Sequence, residues 1–589
     1  MNDRPGKIER DPAVLRVRPH LYDWDRTRAE FSWAALRREL YGSPDGSGNI
    51  AAVALDRRAT GAAGEKIALR CLRDDGSSLE VSYAQLAARV NRFANVLRAI
   101  GAREGARVFV LTGRRAELYE TVLGALRANC LVSVLFTAFG PEPLKTRLAI
   151  GEAEVLVTTP ALYRRKIAPM RGDLTTLRQV ILLDSAPADA AAADTASYDA
   201  LMDAASESFA APVTTAETPA LLHFTSGTTG APKGALHVHD AALMHFMTGR
   251  YALDLHADDV YWCTADPGWV TGMSYGVLAP LLHGVTCIVD EGEFDAERWY
   301  RILDEQQVSV WYTAPTALRM LMKAGRPLAD RFRRPALRLV ASVGEPLNAE
   351  AVWWGLEVLG QPIHDNWWQT ETGGIVVANT PAQTIKPGSM GRILPGLDSQ
   401  VVERDAQGKP QILGPGEASG ELALVKGWPS MFRAYLNQPQ RYAQCFHDNL
   451  YLTGDLVRRD ADGYFWFLGR SDDVIKTSGH LVGPFEIERV LMEHAAVIEA
   501  AVIGLPDPVA GEVIKAFVAL RTGMEPSGAL RDQLIAHARR RLGPALAPRD
   551  LAFVGALPHT RSGKIMRRLL RARELGLPEG DTSALENAT

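Results

Sequence analysis

The chain has 589 residues, a formal net charge of −4 and a hydrophobic content of 47 %. Because one hydrophobic core usually stops growing at roughly 250–300 residues, this length predicts more than one domain. The slight negative charge disfavours nucleic acid or an anionic membrane as a partner. The 5 cysteines lie far apart without CxxC spacing, which disfavours a disulfide framework and a zinc site and favours a reducing compartment.

The N-terminal segment is charged and contains no apolar stretch, so no secretory signal is expected. No apolar run approaches the ~20 residues that a membrane helix needs. We therefore expect a cytoplasmic, multi-domain protein with no membrane partner.

Helix and strand patterns begin to alternate after a polar N-terminal segment. Leu86, Val90, Phe93 and Leu97 recur at helical spacing, and Gly101 is expected to end that helix. The pattern then predicts a strand at 107–111, a helix at 117–128 and a strand at 131–136. This alternation favours βαβ units and a largely parallel sheet.

The later part of the chain changes character several times. Residues 185–219 are rich in Ala, Asp, Thr and Ser and predict a surface excursion with one short helix. Short strands and turns are expected over 421–467. A βαβ-like stretch is expected beyond 470, with strands at 500–503 and 516–519. We place a domain boundary near 470–473 and expect a polar, disordered tail.

The strongest local signal is the segment LLHFTSGTTGAPKG at 221–234. An apolar strand leads into a loop of glycines and hydroxyls, whose backbone N–H groups and side chains can donate to a polyphosphate. The spacing differs from the kinase-type P-loop GxxxxGK[ST]. The residues that we expect to bind phosphate here are Thr225, Ser226, Gly227, Thr228, Thr229, Gly230 and Lys233.

This loop resembles the phosphate loop of the adenylate-forming superfamily, which includes acyl-CoA synthetases, peptide-synthetase adenylation domains and luciferases. Further segments match the family in the same order, and the sequences of several are most similar to the acetyl-CoA synthetase branch. These segments are WCTADPGWVTG at 262–272, YTAPT at 312–316, GEP at 344–346, DNWWQTETG at 365–373, YLTGD at 451–455, GRSDD at 469–473 and RSGK at 561–564.

The resemblance implies an α/β fold with three parts. An AMP-binding N-terminal domain over 1–470 would hold the acyl, ATP and Mg²⁺ sites and include βαβ sheets and a small barrel-like subdomain. A smaller, hinged α/β domain over 471–575 would carry the catalytic lysine, and 576–589 would be a disordered tail. The implied reaction converts ATP, a short carboxylate and CoA into acyl-CoA, AMP and pyrophosphate through an acyl-adenylate.

The resemblance also implies roles for residues around ATP. Glu371 would help to hold Mg²⁺, and Thr370 would donate to a phosphate. Asp455 would bind the ribose hydroxyls, as an acceptor-only carboxylate can, with Arg470 as its companion. The segments expected to wrap the adenine and the α-phosphate comprise Gly344, Glu345, Pro346, Asp365, Asn366, Trp367, Trp368, Gln369 and Thr370.

Lys564 matches the family lysine that bridges the substrate carboxylate and the α-phosphate, neutralising both as they react. Without the resemblance it would be one cation in a basic helical run. Asp472 matches the hinge about which the small domain rotates after adenylation. Acylation of Lys564 by a lysine acyltransferase, reversed by a deacylase, is a hypothesis for regulation.

Coenzyme A is expected to meet residues of both predicted domains. Rotation would present Ser478, Gly479 and His480 to the pantetheine thiol, and Thr271 lies in a matching family segment. Arg164, with its cationic neighbours Arg165 and Lys166, is expected to meet the 3′-phosphate, and Arg539 aligns with a family CoA contact. Leu481 departs from the pattern, which commonly has an Arg that touches ATP after this His.

The acyl pocket is expected to be small. Trp368 matches the position whose indole closes the pocket in acetate-specific relatives, and Val270, Thr271 and Val343 match the other lining positions. Met273 stands where the acetate pattern usually has His. This departure keeps propionate, a branched acid and a hydroxy acid open as alternatives to acetate.

Two other classes of protein remain as alternatives. A stand-alone adenylation enzyme that loads a carrier protein would share the ATP chemistry. A non-enzymatic nucleotide-binding or nucleic-acid-binding protein would not need Lys564, Asp455 and Glu371 together. A metal pair at His237 and His239 is conceivable, but no third ligand is evident in the sequence, and ordinary polar histidines are the favoured interpretation.

Overall fold

The computed structural model describes residues 4–185, 195–225, 232–405, 407–471, 473–477, 480–508, 510–521, 523–544, 546–560, 564–579, 582 and 585, with the backbone alone at 476, 480 and 481. Over these ranges the fold is mixed α/β, as predicted. No helix in these ranges is both long enough and apolar enough to cross a membrane.

The strands are mostly short and buried. In chain order they are Ile67–Leu72 (β1), Ser78–Ser82 (β2), Arg107–Leu111 (β3), Leu131–Val134 (β4), Val155–Thr158 (β5), Gln179–Leu182 (β6), Thr195–Ser197 (β7), Pro219–Thr225 (β8), Lys233–Val238 (β9), Val260–Cys263 (β10), Thr286–Asp290 (β11), Val310–Thr313 (β12), Leu339–Ser342 (β13), Ile363–Trp367 (β14), Val377–Ala378 (β15), Gly391–Ile393 (β16), Ser399–Arg404 (β17), Pro410–Ile412 (β18), Ala418–Val425 (β19), Ala434–Tyr435 (β20), Phe446–His447 (β21), Leu450–Arg459 (β22), Tyr464–Arg470 (β23), Ile475–Thr477 (β24), His480–Val482 (β25), Val497–Asp507 (β26), Gly511–Leu520 (β27) and Asp550–Phe553 (β28).

The helices alternate with the strands in the first half of the chain. They are Trp24–Glu30 (α1), Trp33–Tyr41 (α2), Ile50–Leu55 (α3), Gly61–Glu65 (α4), Tyr83–Ala99 (α5), Ala116–Arg127 (α6), Pro141–Ile150 (α7), Pro160–Leu162 (α8), Tyr198–Ala204 (α9), Ala241–Tyr251 (α10), Ala279–His283 (α11), Ala296–Glu305 (α12), Pro315–Ala324 (α13), Arg326–Ala329 (α14), Ala349–Trp354 (α15), Pro439–Ala443 (α16), Pro484–Met492 (α17), Gly528–Leu542 (α18) and Arg567–Leu575 (α19). Short 3-10 turns (Pro12–Val14, Ala168–Asp173) and π turns (Tyr163–Ile167, Gly272–Leu278, Gly355–Leu359) complete them.

The helix predicted from Leu86 to Leu97 is confirmed as α5, and local chemistry explains both of its ends. Ser82 and Gln85 form a reciprocal capping box at its start. Gly101 follows its end with φ +81°, a left-handed conformation that glycine adopts without strain. The strands and the helix predicted over 107–136 are β3, α6 and β4, with end points that differ by one or two residues.

The chain divides into two compact units. The first comprises 1–387, 393–397 and 427–444, and the second comprises 388–392, 398–426 and 445–589. The predicted boundary near 470–473 lies inside the second unit, so it stays a prediction about a hinge. Of the predicted tail, 580, 581, 583, 584 and 586–589 lie outside the described residues.

The first unit contains two sheets with parallel centres. One has the order β15-β14-β13-β12-β10-β11-β1-β2, in which only the outer pairs β14–β15 and β1–β2 are antiparallel. The other has the order β20-β9-β8-β4-β3-β5-β6-β7. A core of buried aromatic and aliphatic side chains, including Trp262, Tyr300 and Trp311, packs against the first sheet. The predicted βαβ architecture is therefore confirmed.

The second unit begins with the region where short strands were expected. Strands β18-β17-β19-β22-β23-β16 form an antiparallel sheet, with β21 beside β22. Further along, β25-β24-β27-β26 and β28 form another sheet, on which α17 and α18 pack around Val490, Leu534 and Val518.

One expectation for the C-terminal region was wrong in its topology. The strands predicted at 500–503 and 516–519 belong to β26 and β27, which form an antiparallel hairpin rather than a βαβ unit. The three residues between them, 508–510, are too few for the crossover that parallel pairing needs. The βαβ connection of this region is instead β27-α18-β28, in which the two strands are parallel.

Candidate active site

The carboxyl ends of four neighbouring strands in the first unit meet at one sheet edge. Strands β10, β12, β13 and β14 are parallel, and Thr313, Ser342 and Asp365 lie side by side in their registers. The segments that follow these strands are the matching family segments at 264–271, 314–316, 343–346 and 368–373. Ligands of open α/β sheets bind outside the carboxyl ends of the strands, so the fold gathers most of the predicted nucleotide and acyl residues at this edge.

Glu345 is held by two neighbours from the helix that follows β12. Thr316 Oγ1 donates to Glu345 Oε1 at 2.6 Å, and Arg319 donates to Oε2 at 2.5 Å. Both oxygens of the Glu345 carboxylate therefore accept hydrogen bonds from the protein. Its predicted contribution to ATP binding would be to hold the loop at 343–346 in place. Gly344 precedes it with φ +96°, a conformation that favours glycine, and Pro346 follows.

Trp368 lies against two buried tyrosines. Its ring meets Tyr275 edge-on, with ring centroids 5.1 Å apart, and its Nε1 donates to the hydroxyl of Tyr312 at 3.3 Å. Tyr312 in turn donates to Asn366 Oδ1 at 2.9 Å, and Tyr275 accepts from the backbone N–H of Ile375 at 2.7 Å. The indole is thus oriented by a supported aromatic group, as a rigid pocket wall requires.

The other predicted pocket residues differ in their exposure. Val343 follows β13 and is buried, whereas Val270 and Thr271 are partly exposed at the start of the π-helical segment Gly272–Leu278. Met273 is buried in that segment. A Cβ at Gly272 would overlap the carbonyl of Asp266, so this turn requires a glycine and places Val270 and Thr271 before the helix.

Two acids near this edge, partly exposed Asp266 and buried Asp365, have raised pKa values. Burial raises the pKa of Asp266 to about 6, although the N–H of Gly268 donates to its Oδ1 at 2.7 Å. Burial also raises the pKa of Asp365 well above its usual range. Each shift follows from the cost of a charge in a poorly solvated site.

The predicted phosphate loop begins and ends at paired strand residues. Thr225 at the end of β8 lies opposite Lys233 at the start of β9. Ser226, Gly227, Thr228, Thr229 and Gly230 lie outside the described residues. Strand pairing therefore fixes where the predicted loop leaves and re-enters the second sheet of this unit.

Tyr435 connects Lys233 to Glu371. Lys233 Nζ lies 4.6 Å from the centroid of the Tyr435 ring and 3.3 Å from its hydroxyl. That hydroxyl donates to Glu371 Oε1 at 2.5 Å. The predicted phosphate lysine and the predicted magnesium ligand are thus brought onto the same tyrosine, although 138 positions of sequence separate their numbers, 233 and 371.

Hydrogen bonds from a distant segment hold the turn that carries Gln369, Thr370 and Glu371. Trp428 Nε1 and Ser430 Oγ both donate to the carbonyl of Thr372, at 2.8 and 2.6 Å. Gly373 has φ +67°, and a Cβ there would overlap the carbonyl of Ser430. Position 373 therefore requires glycine. The hydrogen bonds from Trp428 and Ser430 fix the position of the turn.

The two histidines weighed as a metal pair make separate backbone contacts. His237 Nδ1 lies 2.9 Å from the carbonyl of Ser430, and His239 Nδ1 accepts from the N–H of Ile50. Burial lowers the pKa of each to about 4, so both are neutral at pH 7. This supports the interpretation of ordinary polar histidines.

The cationic trio predicted to meet CoA lies in the π turn after β5. Arg164 and Arg165 are exposed, whereas Lys166 Nζ donates to the carbonyls of Thr137 and Phe139 at 2.6 and 2.7 Å. Trp269 packs on Phe139 with ring centroids 6.1 Å apart. Lys166 therefore holds the 137–139 segment, on which Trp269, the residue before Val270, packs.

In the second unit, Asp455 and Arg470 face each other across β22 and β23. Arg470 Nη1 donates to Asp455 Oδ1 at 2.6 Å and to the carbonyl of Thr453 at 3.1 Å. The backbone N–H of Asp455 donates to Thr453 Oγ1 at 3.0 Å. The resemblance implied that these two residues act together, and the structure places them in a direct ion pair in which Asp455 is buried.

Lys564 is exposed, and no hydrogen bond or ion pair of its side chain occurs among the described residues. Its backbone is fixed, because its N–H donates to Thr560 Oγ1 at 3.0 Å and its carbonyl accepts from the N–H of Thr560 at 2.7 Å. Residues 561–563 between them lie outside the described part of the chain.

A buried ion pair anchors the chain three residues after Lys564. Arg567 donates to both oxygens of buried Glu488, at 3.0 and 2.7 Å, and lies 3.5 Å from Asp473. Burial opposes the charge of Arg567, but the attraction of Glu488 raises its pKa overall. The Lys564 segment is therefore tied to α17 and to the residue after the predicted hinge, Asp472, which itself lies outside the described residues.

The predicted thiol-binding segment is described only in part. Thr477 and His480 are paired neighbours in β24 and β25, whereas Ser478, Gly479 and the side chains of His480 and Leu481 lie outside the described part of the chain. Arg539 is exposed near the end of α18.

Sequence reasoning missed several side chains that hold the site together. Tyr312 lies inside a segment that had been recognised but had no role, whereas Tyr435 and Glu488 lie outside every recognised segment. No local pattern marks a residue whose importance comes from contacts between distant parts of the chain. The supporting residues that the structure adds are Tyr275, Tyr312, Arg319, Tyr435, Glu488 and Arg567.

The model of the AMP-binding enzyme family matches residues 55–436, and that of the AMP-binding enzyme C-terminal domain matches residues 486–564. An acetyl-coenzyme A synthetase of Bacillus subtilis (strain 168) is 43 % identical over 96 % of this chain and 98 % of its own length. One of Methanothrix thermoacetophila is 40 % identical, over 92 % and 85 %.

Solved structures show the same likeness. A Brucella canis acyl-CoA synthetase superposes with a TM-score of 0.73 at 36 % identity, covering 94 % of this chain and 99 % of that one. An anthranilate–CoA ligase in complex with anthranoyl-AMP superposes with a TM-score of 0.79 at 28 % identity, covering 90 % and 97 %.

Proposed function

The chain belongs to the family of AMP-binding enzymes, and from that premise we propose that it is an AMP-forming acid–CoA ligase acting on acetate. The observation that carries the proposal is the sheet edge where Trp368 stands beside the turn of Glu371. The relatives named as acetyl-coenzyme A synthetases, similar over nearly their whole length, support the same activity.

The substrate is proposed to be small because of the wall that Trp368 makes. Its indole is backed by Tyr275 and tied to Tyr312, so it cannot turn aside without breaking these contacts. A longer acid would need that space, and a close-packed interior resists overpacking. Propionate or a small branched or hydroxy acid remains the alternative, because Met273 replaces a histidine of the acetate pattern.

In the first half-reaction, a carboxylate oxygen attacks the α-phosphorus of ATP and pyrophosphate leaves, which gives acyl-AMP. The loop at 225–233 is proposed to hold the departing phosphates through backbone N–H groups, hydroxyls and Lys233. The exposed amine of Lys564 is proposed to neutralise the two anions as they approach each other. Asp455 is proposed to hold the ribose hydroxyls, with Arg470 holding its carboxylate in one orientation.

Mg²⁺ is proposed as the cofactor of this step. Glu371 fits it, because Tyr435 donates to Oε1 and no hydrogen bond to Oε2 occurs within the described residues, so Oε2 can meet a hard cation that prefers oxygen ligands. When bound, Mg²⁺ would neutralise the charge of the phosphates. The role of this chain is to present the carboxylate in one orientation, through Tyr435 and the braced turn.

In the second half-reaction, the CoA thiol attacks the acyl carbon and AMP leaves. We propose that rotation about Asp472 withdraws Lys564 and brings in the segment Ser478–His480. Exposed Arg164 and Arg539 are proposed to meet phosphates of CoA. Because ATP and CoA are intracellular co-substrates, we place the reaction in the cytoplasm.

Regulation by a lysine acyltransferase and a deacylase is proposed at Lys564. Its amine is exposed on a fixed backbone, so a modifying enzyme can reach it, and acylation would remove its charge. Intact-mass spectra and adenylation rates of acylated protein test this proposal. Full adenylation activity in fully acylated protein would contradict it.

The test of the proposed function is acid-dependent AMP formation in the presence of CoA. Acetate, propionate, butyrate, 2-hydroxyisobutyrate and octanoate are compared at equal concentration. A sharp preference for acetate is expected. A peak on a longer or hydroxylated acid would keep the chemistry but overturn the pocket assignment, and inactivity on every acid would overturn the proposed substrate class.

A further inference from the structure

A cavity of about 210 Å³ lies at the C-terminal end of α10. None of its lining residues belongs to the site described above. Cationic side chains dominate its wall, and one carboxylate faces them. The lining residues that matter here are His20, Glu39, Arg57, Arg58, Arg250 and His256.

Arg58 brings a guanidinium to this cavity without a counter-charge. It is half-buried, and burial lowers its pKa. No carboxylate pairs with it among the described residues, and its neighbour Arg57 adds a second positive charge. A partly desolvated cation without an anion costs free energy, so the position favours an anionic occupant.

The position of Arg58 depends on a glycine. Gly284 has φ +74°, and a Cβ there would overlap Arg58 Nε and crowd its guanidinium carbon. The carbonyl of Gly284 is held by Lys66 Nζ at 2.6 Å. The chain therefore makes room for the guanidinium at the cavity wall.

Two residues that line the cavity also contain a buried nitrogen atom that makes no hydrogen bond within the described ranges. Arg250 uses Nη1 and Nη2 to bind Glu39, but its buried Nε makes no hydrogen bond within the described ranges. His256 Nε2 is buried and likewise makes none. It lies 3.3 Å from Asp254 Oδ1, which is an ion-pair distance without hydrogen-bond geometry, and that oxygen accepts from the backbone N–H of His20 at 2.8 Å. Both nitrogens call for an acceptor.

A metal ion is the competing occupant, since ligand atoms of His20, Asp254 and His256 lie within 4.8 Å of one another. The two imidazole rings, however, are stacked 4.0 Å apart at 11°. Parallel rings direct their in-plane lone pairs side by side rather than towards one ion. Asp254 is also paired with Arg338 at 2.7 Å, and the surrounding guanidinium groups repel a cation.

We propose that this cavity is a binding site, outside the active site, for a small phosphate-type anion. A tetrahedral oxyanion offers acceptors in several directions, which suits donors that come from α10, from the segment after it and from Arg58. The fork of a guanidinium matches phosphate oxygens in pairs. The site would hold inorganic phosphate or the phosphate of a small metabolite.

The proposal is tested by isothermal titration with inorganic phosphate. Saturating MgATP without acid is present, so that the predicted nucleotide site is occupied. Wild-type protein is expected to bind one phosphate, and Arg58→Gln is expected to weaken binding roughly tenfold or more, because a charged hydrogen bond is lost. The matched control is Arg301→Gln, which changes an arginine that is half exposed on α12.

A second variant guards against misfolding of the first. Gly284→Ala keeps every charge but removes the room for the Arg58 guanidinium, so a similar weakening is expected. Thermal midpoints without phosphate show whether each variant is folded. Equal phosphate affinity in wild type and both folded variants would overturn the proposal. So would binding of Co²⁺ with ligand-field bands that need His20 and His256, in the absence of phosphate binding.

Discussion

Side chains at the sheet edge of the first unit are held by neighbours, whereas Lys564 and Arg539 in the second unit are exposed. Glu345, Trp368 and Glu371 each receive or donate at least one hydrogen bond from a distant part of the chain. In the Lys564 segment it is Arg567 that is anchored. A group that acts in one place benefits from preorganisation, whereas the proposed withdrawal of Lys564 after one step would be favoured by a fixed backbone and an exposed amine.

Lys564→Ala is expected to change the activity more than any other substitution. Adenylation, measured as acid-dependent pyrophosphate release, is expected to fall roughly a thousandfold or more, because a cation at the reacting oxygens is lost. Thioester formation from supplied acyl-AMP is expected to persist. The control is Lys323→Ala, at an exposed lysine on α13. Equal loss of both half-reactions would contradict the proposal that Lys564 acts in adenylation and is withdrawn before thioester formation.

Removal of the ion pair between Glu488 and Arg567 tests whether this pair stabilises the region that carries Lys564. Glu488→Gln is expected to destabilise the protein by about 3 kcal/mol, near the lower limit for breaking a buried ion pair, because Asp473 still lies near Arg567. Urea denaturation measures this change. Glu493→Gln, at a partly exposed pair with Arg541, is expected to cost less than about 1 kcal/mol. Similar losses in the two variants would refute the anchoring role.

The rigid wall is tested by Trp368→Ala. The kcat/KM for longer acids is expected to rise relative to that for acetate. The rise should be roughly fourfold for each methylene that the opened space buries. Competition assays between acetate and butyrate measure this ratio. Trp466→Ala, at a partly exposed tryptophan of the second unit, should leave the ratio unchanged. An unchanged ratio in the Trp368 variant would remove this residue from the pocket.

A smaller effect is expected from the tyrosine that connects Lys233 with Glu371. Tyr435→Phe keeps the ring under Lys233 but removes the hydroxyl that donates to Glu371, a loss of about 0.5–1.5 kcal/mol. The KM for MgATP is expected to rise roughly threefold to tenfold with little change in the KM for acid. Tyr442→Phe, whose hydroxyl lies 3.5 Å from the carbonyl of Phe432, is the matched control. Equal KM values in the two variants would separate Tyr435 from nucleotide binding.

The stability of the protein is also expected to depend on pH through Asp266. The pKa of Asp266 is raised from 3.8 to about 6 in the folded protein, so folding favours its protonated form. Its contribution to stability is complete below pH 3.8 and is lost as the pH rises through about 6. In Asp266→Asn this decline should be absent in denaturation curves between pH 4 and 7. Asp203→Asn, at an exposed carboxylate, should retain the decline.

Local patterns in the sequence were enough to identify much of this protein. Helix α5 and strands β3 and β4 were predicted because apolar periodicity and capping residues act over a few neighbouring positions. The site segments could be predicted because the predicted phosphate loop and its companion motifs are contiguous stretches. The family and the class of reaction follow from such stretches, and the comparisons agree with them.

Tertiary structure alone decided how those stretches are held. Tyr435 joins Lys233 and Glu371, and Glu488 holds Arg567 from 79 positions away. The antiparallel pairing of β26 with β27 was likewise not visible in the sequence, nor were the donors near Arg58 that make no hydrogen bond within the described residues. The physical reason is common to all of them. Hydrogen bonds, ion pairs and burial depend on distances in space, and local sequence patterns do not encode which distant residues meet.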